Sequence, residues 1–178
     1  MNMRCIRSLC SGPPNYFTLF SLSPSYSIDL TALSTRYREL QSECHPDKHT
    51  NSPVEDQEHF AAKSALLNKA YRCLRDPYCR AKTLLQVVGV EPTATNIENE
   101  FLMEMMDFND EVELCEDLPS LQIIRETNEA GLSALFSEFE QFFADGEMEI
   151  AANRLTKCKF LLQTRDRIDQ REEFLTVL

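Results

Sequence analysis

The sequence contains little glycine and no long apolar run, and both shortages narrow the class of protein. Only 4 of its 178 residues are glycine, while 43% are hydrophobic and 9% are aromatic. This composition excludes a fibrous repeat and a chain that is disordered throughout. No stretch approaches the roughly 18 consecutive apolar residues of a membrane-spanning helix. The sequence therefore predicts a soluble globular protein with its own hydrophobic core.

Basic residues are also scarce. There are 18 Lys and Arg residues against 29 Asp and Glu residues, which gives a formal net charge of −11. A protein that binds nucleic acid normally presents a basic face, so we expect no nucleic-acid partner. The imbalance lies in residues 89–178, which carry 21 acidic and 7 basic residues, whereas residues 29–88 are close to neutral. This asymmetry predicts two units with different partners.

The cysteines do not form a recognisable framework. There are 7 of them, at positions 5, 10, 44, 73, 79, 115 and 158, with no C-x-x-C pair. Scattered cysteines within apolar helical patterns favour buried free thiols in a reducing compartment over a disulfide scaffold. Cys44, His45, Asp47 and His49 are close in sequence, but Pro46 breaks any helix that could align them on a metal. We expect no metal site and no bound cofactor.

Residues 1–14 have the composition of a targeting segment. They contain Arg4 and Arg7, two serines and no acidic residue, and they end in a Gly-Pro-Pro break. Mitochondrial presequences are rich in Arg and Ser and poor in acids, although a plain flexible tail fits this composition equally well. We therefore predict a flexible leader or presequence remnant. The predicted location is the mitochondrial matrix, with the cytoplasm as the alternative.

Helical periodicity dominates the chain after residue 28, and no alternating strand pattern competes with it. Asp29 is a good N-cap for a helix with apolar residues at three- and four-residue spacing, which Pro46 ends. Ser52 as N-cap, with Pro53 at the first helical position, begins a second long helix that reaches Asp76. The two long helices are predicted to form an antiparallel hairpin around an exposed polar loop.

The rest of the chain is also predicted to be helical. A shorter helix begins at Pro77 and is closed by Gly89, and residues 90–96 are a predicted linker. Three further helices are expected over residues 97–115, 120–144 and 147–176. Because their connections are short, they should pack as an antiparallel three-helix bundle. The predicted fold class is all-α, with domains at residues 15–89 and 97–178.

The loop between the two long helices, together with the helix after it, resembles the J-domain family. J-domain proteins are co-chaperones that stimulate ATP hydrolysis by chaperones of the DnaK class. The similarity rests on the loop Cys44-His45-Pro46-Asp47-Lys48 and on residues 68–77. The resemblance implies that the His-Pro-Asp tripeptide is essential for stimulation and that nearby cations face the chaperone. The implied chaperone-binding residues are His45, Pro46, Asp47, Lys48, Arg36 and Arg38.

Other segments resemble one branch of that family, the HscB type, which serves iron–sulfur cluster biogenesis. These segments are residues 16–20, 80–81, 84–85 and 101–104, and the similarity covers residues 15–178. The resemblance implies an N-terminal J-domain hairpin packed on a C-terminal three-helix bundle. It also implies that the bundle binds the iron–sulfur cluster scaffold protein.

The first helix of the predicted bundle has more apolar residues than one core stripe requires. At 100° per residue a complete core stripe forms, and Leu102, Met103 and Met106 lie outside it, among acidic residues. The stripe consists of Phe101, Met105, Phe108, Val112 and Cys115. On the last helix Phe160 points nearly opposite to the inward residues Ala151, Leu155, Cys158 and Leu162.

The surplus apolar residues have two interpretations. They could be buried against the J-domain or be isolated exposed residues, which are common on protein surfaces. The family resemblance instead implies that they bind the scaffold protein, with acidic neighbours that set register and association rate. The implied scaffold-binding residues are Leu102, Met103, Met106, Asp107, Asp110 and Phe160.

The sequence therefore predicts a co-chaperone that is not itself an enzyme. No Gly-rich phosphate loop is present, so ATP hydrolysis would belong to the partner. The alternative is a general J-domain co-chaperone that binds unfolded clients, but the Gly/Phe-rich linker that such proteins often carry is absent. We expect a DnaK-class chaperone and a cluster scaffold protein as partners, with no membrane partner.

Overall fold

The computed structural model describes residues 15–44, 53–92 and 97–177, and these ranges contain helices and no strand. The predicted all-α fold class is confirmed. The helices are α1 (Tyr16–Leu19), α2 (Leu30–Glu43), α3 (Val54–Arg75), α4 (Pro77–Val87), α5 (Asn99–Leu114), α6 (Leu118–Ala144) and α7 (Met148–Val177). The chain divides into two compact units, Met1–Val88 and Gly89–Leu178. Within the described ranges, every helix is too short or too polar to cross a membrane.

In the first unit α2 and α3 form the predicted antiparallel hairpin. The Tyr37 and Tyr71 rings stack with their centroids 4.1 Å apart. The Tyr71 and Ser34 hydroxyls lie 2.8 Å apart, and the Tyr37 hydroxyl donates a 2.6 Å hydrogen bond to Asn68 Oδ1. Beside this polar row, Leu33 and other leucines of α2, α3 and α4 are buried. The hairpin is therefore held by a polar seam as well as by an apolar core.

The capping residues determine where α2 and α3 begin. Asp29 Oδ1 accepts hydrogen bonds from the backbone N–H groups of Thr31 and Ala32, as predicted for an N-cap. The helix α3 begins at Val54, one residue later than predicted, because Pro53 has an extended ψ of 151°. The ring of proline fixes only φ, which suits both the first helical turn and extended backbone. Ser52, the predicted N-cap, lies outside the described residues.

The junction of α3 and α4 corrects the prediction for two cysteines. Asp76 Oδ1 accepts a 2.6 Å hydrogen bond from the Cys79 backbone N–H and so caps α4, with Pro77 at its first position. This turn brings Cys73 and Cys79 together with their Cα atoms 5.0 Å apart, and the two form a disulfide. The prediction of free thiols is wrong for this pair, because a change of helix direction brings close two residues whose spacing suggests no bridge.

The remaining described cysteines agree with the sequence prediction. Cys44, Cys115 and Cys158 are buried free thiols. Each of them belongs to an apolar stripe of its helix, as expected for a small, weakly polar side chain in a core. Cys5 and Cys10 lie outside the described residues.

In the second unit α7 is flanked by two helices. The helix α6 runs antiparallel to it, and Arg125 donates hydrogen bonds to Asp169 at 2.6 Å and to Glu172 at 2.8 Å. The helix α5 runs parallel to α7 on another side, and its Glu113 accepts a 3.1 Å hydrogen bond from Arg167. The predicted antiparallel order of successive helices is confirmed. A core cluster forms where the three helices meet: Val112, Cys115, Leu121, Ile124 and Ile168.

All three bundle helices begin at other residues than predicted, α7 by one residue, at Met148. The helix α6 begins at Leu118 instead of Ser120, because Asp117 is its N-cap and accepts a 2.8 Å hydrogen bond from the Ser120 backbone N–H. Pro119 lies in the first turn of α6, which proline fits because its missing N–H has no partner there to lose. The helix α5 begins at Asn99, two residues after the predicted start.

Candidate functional site

The predicted chaperone-binding loop is bounded by described helix ends but is not itself described. His45, Pro46, Asp47 and Lys48 lie outside the described residues. The residue before them, Cys44, is the C-cap of α2, and its backbone N–H donates a 3.2 Å hydrogen bond to Gln41 O. Farther from the loop, Gln41 Nε2 donates a 2.8 Å hydrogen bond to the Ser64 hydroxyl on α3. Side-chain hydrogen bonds thus join the two helices close to the loop.

The two arginines assigned to chaperone binding lie on different sides of α2. Arg36 Nη1 forms a 2.9 Å ion pair with Glu39 one turn on, and Arg38 Nε donates a 3.2 Å hydrogen bond to Ser34 O. Positions two apart are separated by about 200° around a helix. Both side chains reach solvent, but they do not form one basic patch. A flat partner surface would meet one of them at a time.

The predicted core stripe of α5 is buried at Met105, Val112 and Cys115 and half-buried at its two phenylalanines, whereas the surplus apolar residues outside it are half-buried or exposed. Met105 and Val112 are buried, whereas Met103 is 65% exposed and Met106 is 67% exposed. Leu102 is half-buried, and Asp107 and Asp110 are exposed. The face of α5 outside the core therefore carries large apolar side chains in contact with solvent, among carboxylates. Such a combination is typical of an interaction surface.

Phe160 does not point away from the bundle as the helical wheel predicted. Its ring is half-buried and packs edge-on against Phe101 of α5, with the centroids 5.8 Å apart. The wheel assumed a single inward direction, but α7 contacts α6 on one side and α5 on another, so it has two buried stripes. Leu162, predicted to be buried, is only half-buried for the same reason.

The line of contact between α5 and α7, the α5–α7 seam, has an ion pair at one end. Lys157 Nζ lies 2.8 Å from Glu98 and 4.8 Å from the centre of the Phe101 ring. The hydrogen bond from Lys157 holds the pKa of the Glu98 carboxyl below its usual range. Phe101 is thus covered by Lys157 and Phe160.

Helix geometry divides the six predicted scaffold-binding residues into two groups. Asn109 and Glu113 of α5 bond with Thr164 and Arg167 of α7, which fixes the side of α5 that borders the seam. Leu102 and Met106 lie within about 60° of those positions and so border the same seam as Phe160. The other three residues lie on the outer face of α5, farther from α7: Met103, Asp107 and Asp110.

The structure also reveals apolar residues at this seam that the sequence analysis did not single out. Phe174 is 53% exposed near the end of α7 and lines the same depression as Phe160 and Asn109. Its signal in the sequence is the spacing of 14 residues from Phe160, which is four helical turns and returns to the same side of α7.

The described residues contain no group of three or more His, Cys, Asp or Glu side chains that could hold a metal ion. Of the loop residues considered as ligands from the sequence, Cys44 is described and buried, whereas His45, Asp47 and His49 lie outside the described residues. The described carboxylates of α5 are exposed and belong to the acidic surface discussed above.

Two family models match this chain, one for each unit. A model described as "DnaJ domain" matches residues 15–82, and one described as "HSCB C-terminal oligomerisation domain" matches residues 97–169. The chain is 32% identical to the "Co-chaperone protein HscB homolog" of Shewanella pealeana, over 90% of this chain and 98% of that protein. It is 33% identical to the protein of the same description from Neisseria meningitidis serogroup A, over 86% and 96%.

Solved structures are similar over the same extent. The chaperone HscB from Vibrio cholerae superposes with a TM-score of 0.82 at 30% identity, covering 91% of this chain and 99% of that one. The human co-chaperone protein HscB superposes with a TM-score of 0.85 at 25% identity, covering 95% and 92%. The Jac1 co-chaperone from Saccharomyces cerevisiae, at 19% identity and a TM-score of 0.72, supports the fold alone.

Proposed function

The chain belongs to the HscB family of co-chaperones, with an N-terminal J-domain and a C-terminal HscB domain, and from that premise we propose a specific activity. It stimulates the ATPase of a DnaK-class chaperone and delivers the iron–sulfur cluster scaffold protein to it. The observation that carries this proposal is the combination, in one chain, of a His-Pro-Asp tripeptide in the segment that connects α2 and α3 and an exposed apolar face among carboxylates.

The stimulating part of the proposal rests on the J-domain hairpin. His45, Pro46 and Asp47 are assigned the essential role, and Lys48, Arg36 and Arg38 supply positive charge toward the chaperone. The stacked tyrosines and the hydrogen bonds between α2 and α3 support this role, since a braced hairpin loses little conformational entropy on binding. Because Arg36 and Arg38 lie on different sides of α2, we expect unequal contributions from them.

The delivering part rests on α5 and Phe160. Met106 and Leu102 border the seam with α7, and Met103 adds apolar surface on the outer face. A few apolar anchors supply affinity, while surrounding charges set register and association rate. Asp107 and Asp110 are assigned the second role, which requires a scaffold surface with basic residues. Met106 suits a transient interface, because its unbranched side chain adapts to the partner.

An ATPase assay with the substitution His45→Gln tests the proposal. We expect the variant to lose stimulation of the chaperone ATPase, both with and without scaffold protein, while keeping its helical content and melting temperature. His59→Gln is the matched control, because His59 is an exposed histidine on α3 and not part of the His-Pro-Asp tripeptide. If His45→Gln stimulates as well as His59→Gln, the J-domain role is wrong.

The same assay separates the alternative of a general folding co-chaperone. A scaffold-delivering protein should stimulate the chaperone further when the cluster scaffold protein is added, and little when a denatured model protein is added. The reverse order would favour a general J-domain co-chaperone. The predicted mitochondrial location has no support from the bacterial relatives, and it stays a prediction based on residues 1–14.

A further inference from the structure

A groove of about 780 Å³ runs along the second unit between α5 and α7. It begins beside Phe160 and continues toward the end of α7, beyond the residues assigned to scaffold binding. Its lining includes aromatic residues at both ends and amide side chains between them: Asn109, Phe160, Gln163, Gln170 and Phe174. A groove of this kind offers both apolar contact and hydrogen bonds to a partner.

The α7 wall of the groove has the spacing of a helix-packing seam. Phe160, Gln163, Arg167, Gln170 and Phe174 follow one another at intervals of three and four residues. This is the spacing at which residues share one side of a helix, and all five line the groove, although Phe160 and Arg167 also contact α5. From Phe160 to Phe174 the seam is about 21 Å long, enough for four turns of a docked helix.

The polar residues of the α7 wall are available to a partner. The side chains of Gln163 and Gln170 are exposed, and no hydrogen bond ties them to the described part of the chain. Arg167, by contrast, is paired with Glu113, and Arg171 donates a 2.9 Å hydrogen bond to Cys115 O. The free donors and acceptors of this wall are therefore the two amides and the carboxylate of Asp166, which suit the polar and basic groups of a partner.

The α5 wall connects the groove with the candidate scaffold-binding face. Leu102, Met106, Asn109 and Glu113 lie at intervals of four, three and four residues, so they form one stripe of α5. Asn109 and Glu113 line the groove, and Leu102 and Met106 extend the same stripe toward Phe160. The groove and the candidate face are thus one continuous surface along α5 and α7.

The charge of the α5 wall indicates the kind of partner. The helix carries six acidic residues and no basic one. The lining of the groove is itself balanced, with Glu113 and Asp166 beside Arg167 and Arg171, so the acidic excess lies on the rest of α5. A partner segment that carries Lys or Arg beside α5 fits this surface, whereas an acidic one is repelled.

We propose that this groove is a second part of the scaffold-binding face and binds an amphipathic helix of the iron–sulfur cluster scaffold protein. The apolar side of that helix contacts Phe160 and Phe174, its polar groups bond with Gln163 and Gln170, and its basic residues face α5. This inference rests on the proposed function and extends the scaffold site by about four helical turns. Phe174 is its distal anchor.

The test measures the affinity of the full chain for the scaffold protein by titration calorimetry. Phe174→Ala should weaken binding about tenfold, because the distal aromatic anchor is lost. Ile123→Ala is the control, since Ile123 is an apolar residue on α6 that is 66% exposed and away from the groove. Its affinity should change less than about twofold. Both variants should keep their melting temperature and should stimulate the chaperone normally without scaffold.

A photo-crosslinking residue at position 170 tests the same groove without removing an anchor. Gln170 lines the groove and is exposed, so a crosslinker there should capture the scaffold protein, while one at position 123 should not. Capture of a second copy of this chain instead would overturn the proposal, and so would an affinity of Phe174→Ala equal to that of the control.

Including Met106→Ala in the titration separates the groove proposal from the proposed function. If Met106→Ala weakens binding and Phe174→Ala does not, the groove proposal fails while the proposed function stands. If neither weakens binding and the wild-type chain does not bind the scaffold protein, the proposed delivery function itself fails.

Discussion

Cys158 illustrates how burial alone changes the chemistry of one residue. The side chain is fully buried on α7, among the inward residues predicted from the sequence. Burial raises the pKa of its thiol to about 12, and the Glu138 carboxylate contributes in the same direction. A thiol that stays protonated is neither a nucleophile nor a metal ligand at neutral pH. Cys158 therefore belongs to the packing of the bundle.

This shift predicts that the protein loses stability in alkaline solution. An unfolded thiol loses its proton near its ordinary pKa of 9.0, whereas the folded Cys158 keeps it up to about pH 12. The unfolded state therefore binds fewer protons in this window, so the free energy of unfolding should fall as the pH rises above 9. The fall is at most about 1.4 kcal/mol per pH unit from this residue.

Urea unfolding of the wild type and Cys158→Ala at several pH values between 8 and 11 measures this effect. The alanine variant should be less stable at pH 8, because it leaves a cavity, but its stability should fall less steeply with pH. The lysines and tyrosines titrate in both proteins, so the difference between the two slopes isolates Cys158. Equal slopes would contradict the prediction.

The helix α5 combines a core stripe and a candidate interaction surface. Two adjacent methionines, Met105 and Met106, lie one on each of them. Met105 is buried at 6% exposure, whereas Met106 is exposed. Met105→Ala should lower the free energy of unfolding by about 2–5 kcal/mol, the usual cost of truncating a core methionine. Met106→Ala should change it by no more than about 0.5 kcal/mol but weaken scaffold binding.

Thermal melts and scaffold titrations of the two variants, made side by side, measure this division. The same chemical change one residue apart is a matched comparison, because helix propensity changes equally in both. If Met106→Ala destabilises the protein as much as Met105→Ala, Met106 is a core residue. In that case the candidate face on α5 would have to be abandoned.

Sequence patterns predicted the elements whose determinants are local. The start of α2 follows from one side chain, since Asp29 caps it through two backbone N–H groups, and the core stripe of α5 follows from a single period. Prolines were less informative, because the same fixed φ suits a helix start and an extended residue. Pro53 precedes α3 and Pro119 lies in the first turn of α6, and each shifted a predicted start.

Features that depend on two neighbouring elements could not be predicted in this way. A helical wheel with one inward direction predicts that Phe160 points away from the core. Phe160 instead packs against α5, because α7 contacts both α5 and α6. The disulfide between Cys73 and Cys79 depends on the direction in which α4 leaves α3, which Asp76 and Pro77 determine. The groove near Phe174 requires the position of α5 relative to α7. None of these is contained in the period of a single helix.

At the scale of the whole molecule, each unit has its own core. Phe17, Leu33 and Leu74 are fully buried in the first unit, and Phe139, Leu155 and Ile168 are fully buried in the second. The acidic excess belongs to the second unit, which contains 21 acidic and 7 basic residues. Separate cores allow separate folding, and separate charge allows each unit to have its own partner.

The two units should therefore divide the proposed activity when they are produced apart. Residues 1–88 alone should stimulate the chaperone ATPase, and residues 89–178 alone should bind the scaffold protein with an affinity within about threefold of the full chain. Scaffold binding by the second unit should weaken as salt is raised from 50 to 300 mM, because screening reduces the attraction of its acidic surface for a basic partner. Circular dichroism of each half checks that it folds, and the full chain is the control.

Only the full chain should give additional stimulation when scaffold is added, because delivery requires both binding sites in one molecule. Equal additional stimulation by a mixture of the two halves would show that the co-chaperone does not act by linking its partners.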